Sequence, residues 1–255
     1  MGDQKMNFII ANNDNELSET AARLVCDCIN QKESSTLVFP TGNTPLGMFK
    51  ALVSHNQAKH VTFRKSRLIE LDEYFGIRTD DERNLFAWLD RELLQKVDFQ
   101  PENIHRFDSF APDPQVEARR MEKIVIDSGG IDLLVLGLGL NGHVGFNEPG
   151  TRVDSPTRLV DLTPESIMSS ANYWGAGAEI PRQGFTLGMD LLLKARKTVL
   201  LVQGASKAEV LRETLEGSVS DRLPATYLRN LNDFTIIADR EAATTVINQK
   251  SSDTF

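Results

Sequence analysis

The sequence predicts an α/β fold: a doubly wound, mainly parallel sheet with helices on both faces. Three observations carry that reading. Short apolar runs recur along all 255 residues, and most are followed by a stretch with apolar residues at helical spacing. Several runs, such as Thr36-Leu-Val-Phe39 and Ile131 to Leu136 (broken only by Asp132), are apolar almost throughout, as strands buried on both faces are. Glycine-rich or polar segments stand directly after these runs, which is where an open α/β sheet places its chemistry.

Taken in order, Met6 to Ala11 reads as a first strand. Asn12-Asn-Asp-Asn15 supplies helix caps, and Leu17, Ala21, Leu24, Val25, Cys28 and Ile29 form the stripe of the helix that follows. Thr36–Phe39 runs into Pro40-Thr-Gly-Asn-Thr-Pro45, where Pro45 suits the first helical position and Thr44 the cap. Leu46, Phe49, Leu52 and Val53 are that helix's apolar face. Arg67 to Leu71 is the next strand, ending in Asp72-Glu-Tyr74. Helices are expected from about Asn84 to Val97 and from about Asp113 to Ser128.

After the strand ending at Leu136 come four glycines, at 137, 139, 142 and 145, with His143 and Glu148 set among and just after them. Arg158 to Leu162 reads as a short strand, and Thr163 to Glu179 as a mobile cover with one weak helix. A helix over Leu187–Ala195 and a strand over Thr198–Val202 follow, then a helix capped by Ser206 and reaching Glu216. Pro224 to Leu228 starts another helix, Phe234–Ala238 is the last strand, and Glu241–Asn248 is the last helix, before a frayed Lys250 to Phe255. No repeat, linker or low-complexity tract divides the chain. The expectation is one Rossmann-like unit over 1–255 with a lid at about 163–182.

The formal charge of −8 argues against a nucleic-acid groove, which needs clustered Lys and Arg. No apolar run approaches the roughly 18 residues of a membrane span, and no signal-peptide pattern opens the chain. Cys26 and Cys28, two apart on a helix, face different ways and make neither a mutual disulfide nor a metal site. No metal, membrane or nucleic-acid partner is expected, and a reducing cytoplasmic setting is.

Four loops follow strands and carry unusual chemistry: Thr41 to Thr44, Asp72 to Tyr74, Asn141 to Glu148, and Gly204-Ala-Ser-Lys207. In a parallel sheet they share one edge and hence one crevice. Thr41-Gly-Asn-Thr44 at a helix N-terminus favours an anion, and Lys207 adds a positive charge, so together they suggest a phosphate monoester. Taken alone, Thr44 is more often a cap and Lys207 a surface residue. Asp72 and Glu73 point to opposite sides of an extended chain, so only one can face the crevice. A carboxylate shielded there becomes a stronger base. The Gly-x-Gly-x-x-Gly pattern at 137–142 does not suit a dinucleotide, because Phe146-Asn-Glu-Pro149 interrupts the helix that should follow.

With these loops assembled, the chain resembles the glucosamine-6-phosphate deaminase (glucosamine/galactosamine-6-phosphate isomerase) family. The matching stretches are Pro40-Thr-Gly-Asn-Thr-Pro45, Leu71-Asp-Glu-Tyr74, Gly139-Leu-Asn-Gly-His-Val-Gly-Phe-Asn-Glu-Pro149 and Gly204-Ala-Ser-Lys207. The resemblance implies conversion of a 2-amino-2-deoxyhexose 6-phosphate and water to a ketohexose 6-phosphate and ammonia, without metal or redox cofactor. It implies that Asp72 moves a proton between C2 and C1 and that His143 opens the sugar ring, oriented by Glu148 and Asn141. Gly42, Asn43, Thr44 and Lys207 match the phosphate cradle, and Thr41, Glu73 and Gly139 join them as substrate-binding residues.

Two departures stand out. Position 141 is Asn where some members have Asp, so it contributes a hydrogen bond but no charge. Many members carry an Arg shortly after an Ala-Asn pair in the lid; here Ala171-Asn172 is followed by Tyr173 and Trp174, and Arg182 is the candidate replacement. Val160 and the short C-terminus argue against effector control by an acetylated amino sugar. Glucosamine 6-phosphate is the expected substrate, with its galactosamine epimer open. The other readings are a 6-phosphogluconolactonase-type hydrolase, against which the Asp72-Glu73-Tyr74 and Asn147-Glu148-Pro149 motifs argue, and a non-catalytic sugar-phosphate sensor. A homo-oligomer is left open.

Overall fold

The computed structural model describes residues 5–174 and 179–247. Ten strands are found there: β1 (Lys5–Ala11), β2 (Thr36–Phe39), β3 (Arg67–Glu70), β4 (Asp72–Tyr74), β5 (Ile104–His105), β6 (Leu133–Gly137), β7 (Arg158–Asp161), β8 (Gln183–Thr186), β9 (Lys197–Val202) and β10 (Asp233–Asp239). The helices are α1 (Asp14–Gln31), α2 (Leu46–Gln57), α3 (Leu85–Glu92), α4 (Pro114–Asp127), α5 (Pro164–Trp174), α6 (Met189–Leu192) and α7 (Ala208–Glu216), with short 3-10 turns between some of them.

Seven strands form one sheet in the order β1-β10-β9-β6-β2-β3-β5, every neighbouring pair parallel. From β2 the chain winds outward through β3 to β5. From β6 it winds the other way through β9 and β10 to the far edge, beside β1. The direction of winding therefore reverses between β2 and β6, whose register pairs Leu37 with Leu133 and Val38 with Leu134. A crevice opens at such a switch point, beyond the strands' C-terminal ends.

Successive residues of each central strand serve opposite cores. Leu133 and Val135 pack with α1, α2 and α3 through Leu17, Phe49 and Trp88; Leu134 and Leu136 pack with α4, α6 and α7 through Met121, Leu192 and Leu211. This two-sided burial is why the strands read as unbroken apolar runs.

The remaining strands form a small antiparallel sheet, β4-β8-β7, in which Thr186 lies opposite both Asp72 and Arg158. Asp72–Tyr74 is thus a strand and not the loop expected, and β8 lies just before the expected helix over 187–195, of which only α6 forms. A four-residue strand containing Gly184 has too little pattern to announce itself. That glycine is needed because a Cβ would sit 2.7 Å from the Phe146 ring and 3.0 Å from the Glu73 carbonyl oxygen.

Several expected boundaries shift. Pro45 occupies the capping position of α2 with no side-chain cap, so Thr44 does not cap the helix; Leu46 N–H closes the preceding turn on Asn43 O at 3.2 Å. Ser206 lies inside a 3-10 turn, Ala205–Lys207, and does not cap α7. The helix expected to Val97 ends at Glu92 and continues as a 3-10 turn, Leu94–Lys96. Cys26 and Cys28 are both free and both buried in the core beneath α1. Of the last expected helix, residues 244–247 are helical and Asn248 lies outside the described residues, as do Lys250 to Phe255 and residues 175–178 of the expected lid. No helix among the described residues is long and apolar enough to cross a membrane.

Candidate active site

A cleft of about 460 Å³ opens at the switch point between β2 and β6. All four chemistry-bearing loops reach it: Thr41–Thr44 after β2, Asp72 and Tyr74 on β4, Gly139 and His143 after β6, and Lys207 after β9. Helix α5 covers one side through Ser169, Ser170 and Trp174. Tyr74 Oη donates or accepts at 2.9 Å with Ser170 Oγ, so the cover is fastened to β4 from inside the cleft.

One end is arranged for an anion. Gly42 adopts φ +101°, a left-handed backbone that favours glycine, and lets the loop turn across the start of α2. Lys207 donates from Nζ to Leu138 O at 2.7 Å, and burial lowers its pKa. A phosphate at the cleft would return to that ammonium the counter-charge that burial has removed.

The wall made by β4 is dry. Asp72 is 7 % exposed, and no hydrogen bond from a described residue reaches its carboxylate. Desolvation, with a smaller contribution from the charge of Glu73, pushes its pKa up to about 7. Glu73 faces away from the cleft, as the alternation of an extended chain requires. It accepts from the backbone N–H groups of Tyr74 (2.7 Å), Leu85 (3.0 Å) and Phe86 (3.1 Å) at the start of α3. The structure therefore does not support Glu73 as a substrate-binding residue.

The surroundings of His143 are polar. His143 Nδ1 lies 3.1 Å from Ser166 Oγ and 3.4 Å from Glu148 Oε2. Thr163 Oγ1 donates to Glu148 Oε2 at 3.2 Å, and Asn141 Nδ2 donates to the same oxygen at 2.9 Å. Burial alone would raise Glu148, but hydrogen bonding and charge from His143, with help from Ser166 and Asn141, outweigh it and hold its pKa at about 2. Asn141, expected to orient His143, makes no hydrogen bond to the imidazole ring; its Oδ1 accepts from the His143 backbone N–H at 3.2 Å and its Nδ2 donates to Glu148, so it acts on the ring through the loop and Glu148. The ring lies flat against Gly139, where a Cβ would come within 2.5 Å of three ring carbons. With Nδ1 engaged by Ser166 and Glu148, Nε2 is the nitrogen left for a substrate.

Asn147 anchors this loop from behind. It donates to Leu187 O at 2.9 Å and to Val144 O at 3.1 Å, and accepts from Arg158 Nη1 at 3.0 Å. The sequence gives no role to Thr163 or Ser166, and names Tyr74 only as part of the Asp72–Tyr74 motif. A cap-and-proline start at Thr163-Pro164 was the available signal for the first two, since Thr163 Oγ1 also accepts from Ser166 N at 3.3 Å. Arg182 does not reach the cleft: it borders a separate depression with Arg78 and Arg83, so it does not replace the missing lid arginine. No group of three His, Cys, Asp or Glu side chains suited to a metal ion is found among the described residues.

Residues 12–237 match the family described as glucosamine-6-phosphate isomerases/6-phosphogluconolactonase. The chain belongs to that family. Within it, the chain is 36 % identical to a glucosamine-6-phosphate deaminase of Thermoanaerobacter sp. (strain X514), over 94 % of this chain and 95 % of the relative. It is 36 % identical to glucosamine-6-phosphate deaminase 1 of Bacillus subtilis (strain 168), over 89 % and 94 %. A solved structure of a monomeric glucosamine-6-phosphate deaminase superposes with a TM-score of 0.91 at 35 % identity, covering 94 % of this chain and 99 % of that one. A 6-phosphogluconolactonase from Trypanosoma brucei shares the fold, with a TM-score of 0.76 at 19 % identity.

Proposed function

We propose that this chain is a glucosamine-6-phosphate deaminase: it converts glucosamine 6-phosphate and water to a ketohexose 6-phosphate and ammonia. The observation that carries the reading is the convergence of Asp72, His143 and Lys207, with the loop Thr41–Thr44, on the lining of one cleft. The relatives bearing the deaminase name support the substrate class.

In this reading the loop Thr41–Thr44 and Lys207 hold the phosphate. His143, steadied by Ser166 and Glu148, moves a proton at the ring oxygen through Nε2 and opens the pyranose. Asp72 takes the proton from C2 of the open aldose as O1 takes one from the substrate's own ammonium group, leaving an enediol-type intermediate with nitrogen on C2 (an enolamine), and Asp72 returns its proton to C1. The nitrogen is then double-bonded to C2; water adds there, the C–N bond breaks, and ammonia leaves behind the ketone. A base with a pKa near 7 suits this task, because it is substantially free to accept a proton at neutral pH yet still strong. The catalytic unit is the whole chain, α5 is its cover, and the cleft is complete within one copy. The reducing cytoplasm suits the free Cys26 and Cys28.

Ammonia release from glucosamine 6-phosphate and from its galactosamine epimer, run beside proton release from 6-phosphogluconolactone, tests the proposal. Ammonia from the glucosamine substrate in preference to the epimer, with no acceleration of lactone hydrolysis, is expected. Lactone hydrolysis without ammonia release would overturn it.

A further inference from the structure

Beneath Asp72 lie two further carboxyl groups that the reaction above does not use. Glu70, the last residue of β3, and Glu73 are 2 % and 1 % exposed. Two carboxylates cannot both stay charged, dry and in contact. Glu70 and Glu73 are in side-chain hydrogen-bond contact, and that contact requires a proton on one of them.

The geometry decides which. Glu73 accepts three backbone N–H groups, two of them the first donors of α3, where the helix dipole favours negative charge. Glu70 accepts only one, from Phe107 N to Oε2 at 2.7 Å, and no donor among the described residues reaches its Oε1. An oxygen with no donor to accept from is the natural seat of a proton, and Glu73 is the acceptor that the Glu70 side chain contacts.

We propose that Glu70 and Glu73 form an acid–carboxylate pair, proton on Glu70 Oε1 and charge on Glu73, and that this charge adds to desolvation in raising the base strength of Asp72. Glu73 is thus a positioning residue acting through electrostatics; burial raises its pKa to about 7, and the three N–H groups and Glu70 oppose that rise and favour its ionised form. The neighbouring arginines act on Glu70, Arg106 drawing its pKa down, but desolvation and the charge of Glu73 outweigh them and hold Glu70 well above the usual carboxylate range. Arg106, after β5, lies over the Phe86 ring at 4.9 Å, and Arg120 on α4 is committed to Glu117 at 2.7 Å. Neither forms an ion pair with Glu70, Asp72 or Glu73, and the only other titratable group on β4 is the Tyr74 hydroxyl, bound to Ser170.

The inference rests on Asp72 as the base, so its test has one arm that needs turnover and one that does not. In the first, the acid limb of kcat/KM for ammonia release is followed in Glu73→Gln and Glu70→Gln. Loss of the Glu73 charge weakens Asp72 as a base, so the Glu73→Gln limb moves to lower pH by roughly one unit or more. Glu70→Gln keeps a donor toward Glu73 and leaves the limb in place. A merely structural role would lower the rate without moving the limb, and an unmoved limb in Glu73→Gln overturns the proposal.

In the second arm, infrared spectra at neutral pH compare Asp72→Asn with Asp72→Asn/Glu70→Gln. The first should show the carbonyl stretch of an un-ionised carboxyl that the second lacks. Identical spectra in that region would overturn the assignment of the proton, whether or not the chain deaminates its substrate or Glu73→Gln folds.

Discussion

One carboxylate lines the cleft, Asp72, and another, Glu148, stands behind the His143 that lines it; their surroundings treat them in opposite ways. On the β4 wall Asp72 is desolvated, meets no donor, and has the Glu73 charge behind it; its pKa is pushed up to about 7. Glu148 is as little exposed, at 6 % against 7 %, yet is held at about 2 by His143 and by the hydroxyl and amide donors around it. Burial raises both carboxyl groups, so shielding from solvent does not by itself decide the role. The supply of donors and of opposite charge does, and it makes one carboxylate a proton acceptor and the other a permanent anion that steadies an imidazole.

The largest break in that comparison comes from Asp72→Asn. Turnover is expected to fall by about 10²–10⁴-fold, while a substrate analogue still binds, because the phosphate end is untouched. Stability should move the other way. The folded-state pKa of Asp72 lies above its unfolded value, so the folded protein is penalised progressively as pH rises from about 4 to about 7, and fully above that. Asp72→Asn should therefore raise the melting temperature at pH 8, and raise it less at pH 5. Glu148 has the opposite sign: its contribution is present above about pH 4 and is lost as pH falls toward 2, so Glu148→Gln should lower the melting temperature at neutral pH.

Next in size is Gly139→Ala. A methyl group there collides with the imidazole, whose displacement pulls Nδ1 from Ser166 and Glu148. Misplacing a catalytic group by about 1 Å can cost on the order of 10²-fold. The loss should appear in kcat, with substrate affinity little changed. A rate within a factor of two of wild type would show that the ring need not lie where it does.

Ser166→Ala is the smallest. It removes one hydrogen bond to His143 and one support of Glu148, worth about 1 kcal/mol, or roughly five- to tenfold in kcat. Because Ser166 belongs to α5, the same change uncouples the cover from the imidazole and should leave the Asp72 limb of the pH profile where it was.

How much of this could be read from the chain alone follows the range of the forces involved. The large sheet was legible because burial on both faces leaves local, unbroken apolar runs such as Leu133–Leu136, and because every parallel strand ends on the same edge. That edge brought Thr41–Thr44, Asp72, His143 and Lys207 together as anticipated. The small sheet was only partly legible: β7 was expected as the strand Arg158 to Leu162, but β4 and β8 have three or four residues each and pair across more than a hundred positions, as between Asp72 and Thr186. For the same reason Glu73 was taken for a substrate contact when its partners are the first N–H groups of α3, and Arg182 was assigned to a cleft it does not reach. Thr163 and Ser166 escaped notice because their link to His143 and Glu148 spans a strand and a turn that carry no motif of their own.

The account depends on a single carboxylate, shut away from water, lifting a proton from one carbon and setting it down on the next. Glucosamine 6-phosphate deuterated at C2 puts that to the test, with the ketose product read by mass spectrometry and NMR. A dry wall at Asp72 predicts that a measurable fraction of the product carries the same deuterium at C1, and that the transfer is lost in Asp72→Asn. Complete replacement of the label by solvent hydrogen in the wild-type enzyme, or transfer undiminished in Asp72→Asn, would contradict it.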